Sequence, residues 1–131
     1  MKKYPVFFIG LFLFVLIGAY FITNSRKQNI PLGLSGKMEN GVRIVEVKAS
    51  KYKFDPDPIV VKLSERVRLV VTSIGVDHGL GISSFNVNVA VPAGKTETVE
   101  FTADKKGTFH MHCSVYCGPG HGNMHGEFIV R

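Results

Sequence analysis

Hydrophobic and polar positions divide this chain into two regimes. From residue 6 to residue 22 the run VFFIGLFLFVLIGAYFI carries no charge and shows no polar face at helical spacing. At about 1.5 Å per residue these 17 positions span roughly 26 Å, the short end of what a bilayer core accepts, and predict a membrane-crossing helix. From residue 42 the pattern becomes short alternating runs with turn residues between them. Residues 42–49 alternate in two registers, around Val42 and Ile44 or around Val45 and Val47. Residues 66–74 set Val67, Leu69 and Val71 on one face, and residues 85–91 set Phe85, Val87, Val89 and Val91 against Asn86, Asn88 and Ala90. Further strands are expected at 59–63, 95–101, 107–113 and 127–131, with turns at Asp55-Pro56-Asp57-Pro58 and Pro92-Ala93-Gly94. Seven or so short strands without a helical period predict an all-β sandwich.

These patterns give three segments: an anchor at 1–24, a linker rich in Gly, Asn and Ser at 25–41, and a sandwich domain at 42–131. A cleaved signal peptide is the rival to a retained anchor, but its apolar core is usually about 7–15 residues and ends in small side chains. Here the run ends in Tyr20, Phe21 and Ile22. Either reading exports the domain, to the extracytoplasmic (periplasmic) face of the cell membrane. The length of 131 residues leaves no room for a barrel of about 250 residues beside an anchor. The net charge of +6 is concentrated outside the sandwich, since within residues 42–131 the 11 Lys and Arg nearly balance 9 Asp and Glu. No basic cluster interleaves with aromatics, so nucleic acid is not an expected partner.

The chemistry lies near the C-terminus. The chain's two cysteines are four positions apart in the stretch CSVYCGPGHGNM, residues 113–124, whose glycines and proline make it a loop. Cys113, Cys117, His121 and Met124 offer two thiols, an imidazole and a thioether. Soft sulfur ligands select copper or zinc, imidazole suits both, and a weak thioether ligand is typical of copper electron-transfer sites. His78 is the one histidine far from this loop, at the end of the 66–74 strand region, where a sandwich would bring it to the same rim. Two other readings stand beside a metal site built from all five. Cys113 and Cys117 can form a local disulfide in an exported domain. Alternatively Cys117, His121, Met124 and His78 can hold a single blue copper and leave Cys113 unemployed.

The spacing Cys-x3-Cys-x3-His-x2-Met with an upstream histidine resembles the CuA domain of cytochrome c oxidase subunit II. The resemblance extends over about residues 42–131 and includes Tyr52-Lys53-Phe54-Asp55-Pro56 and Pro92-Ala93-Gly94-Lys95. A single N-terminal anchor is similar to the compact subunit II of B-type haem-copper oxidases. The resemblance implies a cupredoxin-like Greek-key β-sandwich preceded by one transmembrane helix. It also implies a dinuclear copper centre, in which Cys113 and Cys117 bridge two copper ions and His78 and His121 each ligate one. Met124 and the carbonyl of Val115 would be weak axial ligands. The implied role is one-electron transfer from cytochrome c or another small redox protein to the haem of subunit I. A stand-alone membrane-anchored electron or copper carrier is the alternative.

The chain departs from the family at three places. Valine stands at 115, where a carboxylate or amide usually helps bind magnesium shared with subunit I. Gly75 stands where an acid is common, with Asp77 two positions on, a candidate acceptor for a ligand imidazole. There is no tryptophan, and Tyr116 is the aromatic left near the expected route of electron uptake. No acid–base pair or nucleophile–histidine arrangement appears outside the metal ligands, so turnover by this chain alone is not expected. On the 107–113 strand, Phe109, Met111 and Cys113 share the inner face, leaving His110 and His112 on the other; His125 is expected at the surface.

Overall fold

The structure, a computed structural model, describes residues 33–131. The expected anchor at 1–24 lies outside them. Among the described residues no helix is long and apolar enough to cross a membrane. Ten strands follow in chain order: β1 (Lys37–Glu39), β2 (Val42–Ser50), β3 (Lys53–Asp55), β4 (Ile59–Val61), β5 (Arg66–Ser73), β6 (His78–Ile82), β7 (Val87–Val91), β8 (Thr96–Thr102), β9 (Gly107–His112) and β10 (His125–Val130). They form two sheets, one ordered β1-β2-β5-β8 with β3 also paired to β2, the other ordered β4-β10-β9-β6-β7. Both sheets are mixed: β2 runs parallel to β5, and β4 parallel to β10. The expected all-β sandwich is therefore observed.

Alternation decides which side chains meet between the sheets. From the first sheet come Val45, Val47 and Ala49 of β2 and Val67, Leu69 and Val71 of β5, each at most 1% exposed. Of the two registers that 42–49 allows, the fold uses the one carrying Val45 and Val47; Val42 and Ile44 are only half-buried. The second sheet supplies Ile59, Val61, Leu80, Ile82, Val87, Val91, Met111, Phe128 and Val130. Toward the end of β9 remote from Cys113, Phe85, Phe101, Phe109 and Phe128 pack with ring centroids 4.8–5.5 Å apart. Phe85 is not on a strand. It ends a 3₁₀ turn (Ser83–Phe85), and Asn86 at φ 55° redirects the chain into β7.

Three strands were not anticipated. β1 is exposed throughout, and β3 buries only Phe54. β6 is buried at every position because its outward residues, Gly79 and Gly81, are covered by the loops and rings packed on them. Ser35 also ties to the sandwich. Its N–H donates to Val60 O at 2.7 Å, and its hydroxyl accepts from Val60 N at 2.8 Å.

Candidate metal centre

Three elements deliver the candidate ligands to one end of the sandwich. β9 ends at His112 and hands on directly to Cys113, while Met124 directly precedes β10. The Cys113 N–H donates to Met124 O at 3.0 Å, closing the loop at its base. Inside the loop a 3₁₀ turn (His121–Asn123) is held by His121 N to Gly118 O, Asn123 N to Gly120 O and Met124 N to His121 O, all 3.0–3.1 Å. His78 comes from the first position of β6. Since β6 is antiparallel to β9 with Gly81 opposite His112, the chain leaving β9 passes alongside His78.

The five side chains and one carbonyl named from the sequence come together. Cys113 Sγ and Cys117 Sγ are free thiols 3.6 Å apart. Cys113 Sγ also lies 3.9 Å from His78 Nδ1 and 3.1 Å from Val115 O. Cys117 Sγ lies 3.5 Å from His121 Nδ1 and 3.7 Å from Met124 Sδ. Each sulfur thus has its own imidazole nitrogen and its own weaker donor. His78, Cys113, Cys117 and Met124 are at most 4% exposed, and His121 is half-buried at the outer edge.

Burial sets the protonation states. It pushes the Cys117 thiol up to about 11, aided by the neighbouring Cys113 thiol. Burial lowers the His78 imidazole below its ordinary value. The Ile74 carbonyl acts against this, too poorly placed for a full hydrogen bond, and Nε2 has no partner among the described residues. A neutral imidazole with Nδ1 turned to a thiol is a ligand in waiting. Two thiols, two imidazoles, a thioether and a carbonyl in a dry setting fit copper, and the thioether argues against zinc.

Glycines make the close packing possible. A Cβ on Gly79 would stand 2.9 Å from Val115 Cγ2 and 3.0 Å from Val115 N, so only glycine lets the cysteine loop rest on β6. Gly118, at φ +127°, and Gly120 lie against the Tyr52 ring, where a Cβ on Gly118 would be 2.7 Å from its hydroxyl oxygen. These supporting positions were not singled out from the sequence; the Gly-x-Gly that follows His78 was the available signal. Asp77 is not an acceptor for a ligand imidazole as considered above. Its Oδ1 accepts from Ala93 N at 2.8 Å and holds the turn before β8. His110 and His125 are exposed and His112 half-buried, on the face away from the centre, as expected.

The family model for the cupredoxin-like domain matches residues 12–130. The chain is 36% identical over 87 residues to cytochrome c oxidase subunit 2 of Thermus thermophilus, a match covering 66% of this chain and 64% of that relative's length. Among solved structures it is similar to the periplasmic domain of subunit II of cytochrome oxidase of Bradyrhizobium japonicum, with TM-score 0.62 and 20% identity, covering 67% of this chain and 83% of that one. It is also similar to a chain of a heme-copper terminal oxidase dimer, with TM-score 0.62 and 23% identity, covering 95% and 96%. At these identities the structural likenesses speak for the fold.

Proposed function

Because the chain belongs to the cupredoxin-like domain family, we propose that it is the electron-transfer subunit of a haem-copper oxidase, working through a dinuclear copper centre. It takes single electrons from cytochrome c or another small redox protein and passes them to the haem of subunit I. Its copper domain faces the extracytoplasmic side of the membrane that holds the oxidase. The resemblance to the oxidase subunit 2 of Thermus thermophilus supports this setting.

One observation carries the dinuclear reading: each of the two sulfurs has its own further donors, one imidazole nitrogen and one weaker donor. His78 Nδ1 and Val115 O stand by Cys113, and His121 Nδ1 and Met124 Sδ by Cys117. A mononuclear site would use one thiol and leave the other buried without a role. Cys113 and Cys117 would each lend a thiolate to both ions, and His78 and His121 would each hold one. Copper bound there supplies a one-electron redox change shared over two ions. The residues supply rigidity: the hydrogen bonds from Cys113 to Met124 and inside the 118–124 turn hold the donors in place, as a site that changes its charge by one electron with little rearrangement needs. The β6 and β9 strands behind them exclude water. His121 and the exposed Tyr116, ring centroids 5.6 Å apart, form the edge open to a donor.

The test is copper content with EPR. The expected result is two copper ions per chain and, in the mixed-valence state, hyperfine structure from one unpaired electron shared over two equivalent nuclei. One copper per chain with a localised spectrum would overturn the dinuclear reading. Replacing Cys113→Ser should abolish the shared state. Haem that co-purifies with the tagged chain supports the oxidase role; a haem-free chain isolated from its native membrane counts against it.

A further inference from the structure

Three of the chain's five histidines take no part in the centre described above, and they share one patch. His110 and His112 stand two residues apart on β9. His125 pairs directly with His112 across the β9–β10 ladder, and Glu127 pairs directly with His110. Facing partners project to the same side of a sheet, so all four side chains stand on the outer face, opposite Met111 and Phe128. The rings of His110 and His112 are 5.7 Å apart and nearly parallel at 6°, and those of His110 and His125 are 5.6 Å apart. His112 is seated by a missing side chain: a Cβ on Gly81 would meet its Cε1 at 2.6 Å and its Nε2 at 2.7 Å.

We propose that His110, His112 and His125 form a second metal site, on the outer face of the sheet, for a divalent late first-row ion. Imidazole suits zinc, copper and nickel, and three imidazoles with a free position are an established ligand set. Directly opposed residues have Cβ atoms about 4.5–5.5 Å apart, and residues two apart on one strand about 6.6 Å. As the rings stand, their nitrogens do not converge within 4.8 Å of one another, so binding requires His110 and His125 to rotate about their side-chain bonds toward an ion held at His112. His112 is the fixed member over Gly81, and the exposed His110 and His125 swing onto the ion. Glu127, exposed and opposite His110, is placed to complete the coordination or to accept a ring N–H. The site is separate from the buried centre, because Cys113 and Met124, though adjacent in sequence to His112 and His125, point to the other side of the sheet.

Zinc titration of the full chain tests this, with the buried centre copper-loaded and reduced. A parallel titration in a Cys113→Ser/Cys117→Ser background makes the readout independent of that centre. Imidazole carbon–proton NMR peaks report each histidine. The expected result is that the peaks of His110, His112 and His125 shift together and saturate at one zinc per chain. His110→Ala, at an exposed position, should weaken zinc at least about tenfold. The triple variant H110A/H112A/H125A should abolish it. Zinc uptake unchanged in His110→Ala, or three peaks that move independently without saturating, would overturn the proposal.

Discussion

The Nδ1 atom of His78 lies 3.9 Å from the Sγ atom of Cys113, although 35 positions separate the two residues. The register of β6 against β9 produces this approach. With Gly81 opposite His112, the antiparallel count sets Cys113 near Leu80, Ser114 near Gly79 and Val115 near His78. Cys113 and Leu80 turn inward, while Ser114 and Val115 cover Gly79 from outside. The position of one candidate donor is therefore fixed by how closely the loop can sit on a glycine next to it.

Gly79→Ala tests that dependence. The new methyl would stand 2.9–3.0 Å from Val115 Cγ2 and backbone N, closer than ordinary contact. The loop has to lift, at a cost of about 1–3 kcal/mol typical of overpacking. Chemical denaturation of the metal-free protein should show the loss, and copper should bind more weakly because Val115 O and Cys113 move with the loop. An unchanged midpoint and copper affinity would mean that the loop is not seated on β6.

What was legible beforehand follows from the same geometry. Strands with one wet face announced themselves: Val67, Leu69 and Val71 of β5 alternate with polar or half-buried residues, and the inner and outer faces of β9 fell as read. β6 did not, because His-Gly-Leu-Gly-Ile is buried on both faces and so shows no polar alternation. β1 hides nothing at all and has no pattern to read. Phe85 alternates correctly with Val87, but alternation cannot register the left-handed Asn86 between them. The candidate donors were readable as a group because Cys113, Cys117, His121 and Met124 share one loop. The histidine patch was only half readable, since His125 joins His110 and His112 through strand pairing.

The Cys117 thiol predicts slow alkylation. Burial and the Cys113 thiol push it up to about 11, and the thiolate is the reactive form. In the metal-free protein, iodoacetamide should therefore label Cys117 far more slowly than a free cysteine at pH 8, with a rate still rising toward pH 11. Mass spectrometry of labelled peptides gives the site. Labelling that levels off near pH 9, as for an exposed cysteine, would contradict the burial-driven shift.

Tyr116 is 73% exposed, and its ring lies 5.6 Å from that of His121. An exposed aromatic beside a half-buried candidate ligand is a natural contact point for a redox partner. Tyr116→Ser should lower the second-order rate of reduction by a small redox protein at least about fivefold, a loss of about 1 kcal/mol. Stopped-flow reduction by a small molecule such as ascorbate serves as the control and should change less. Equal slowing with both reductants would place the defect in the centre rather than at the docking edge.

Arg43 and Glu65 predict an acid limit to stability. The guanidinium grips the carboxylate twice, Nε to Oε2 at 2.5 Å and Nη2 to Oε1 at 2.8 Å, with side chains only 7% and 13% exposed. Arg43 Nη1 donates to Ser35 O at 3.0 Å, and Lys62 N donates to Glu65 Oε2 at 3.0 Å, so the pair ties the start of β2 to the β4–β5 turn and to the chain before β1. The Arg43 hydrogen bond holds the Glu65 carboxyl below its ordinary 4.5. A group whose folded pKa is depressed stabilises the fold above its unfolded pKa and loses that contribution as pH falls through the folded value. The contribution is therefore complete above about pH 5 and drains away below it. Glu65→Gln leaves Arg43 buried without its counter-charge and should cost about 2–4 kcal/mol at pH 7. Denaturation across pH should show a gap between the two proteins that is flat from pH 7 to about pH 5 and narrows at lower pH. A gap independent of pH down to 3 would mean that the carboxylate's charge contributes nothing to the tie.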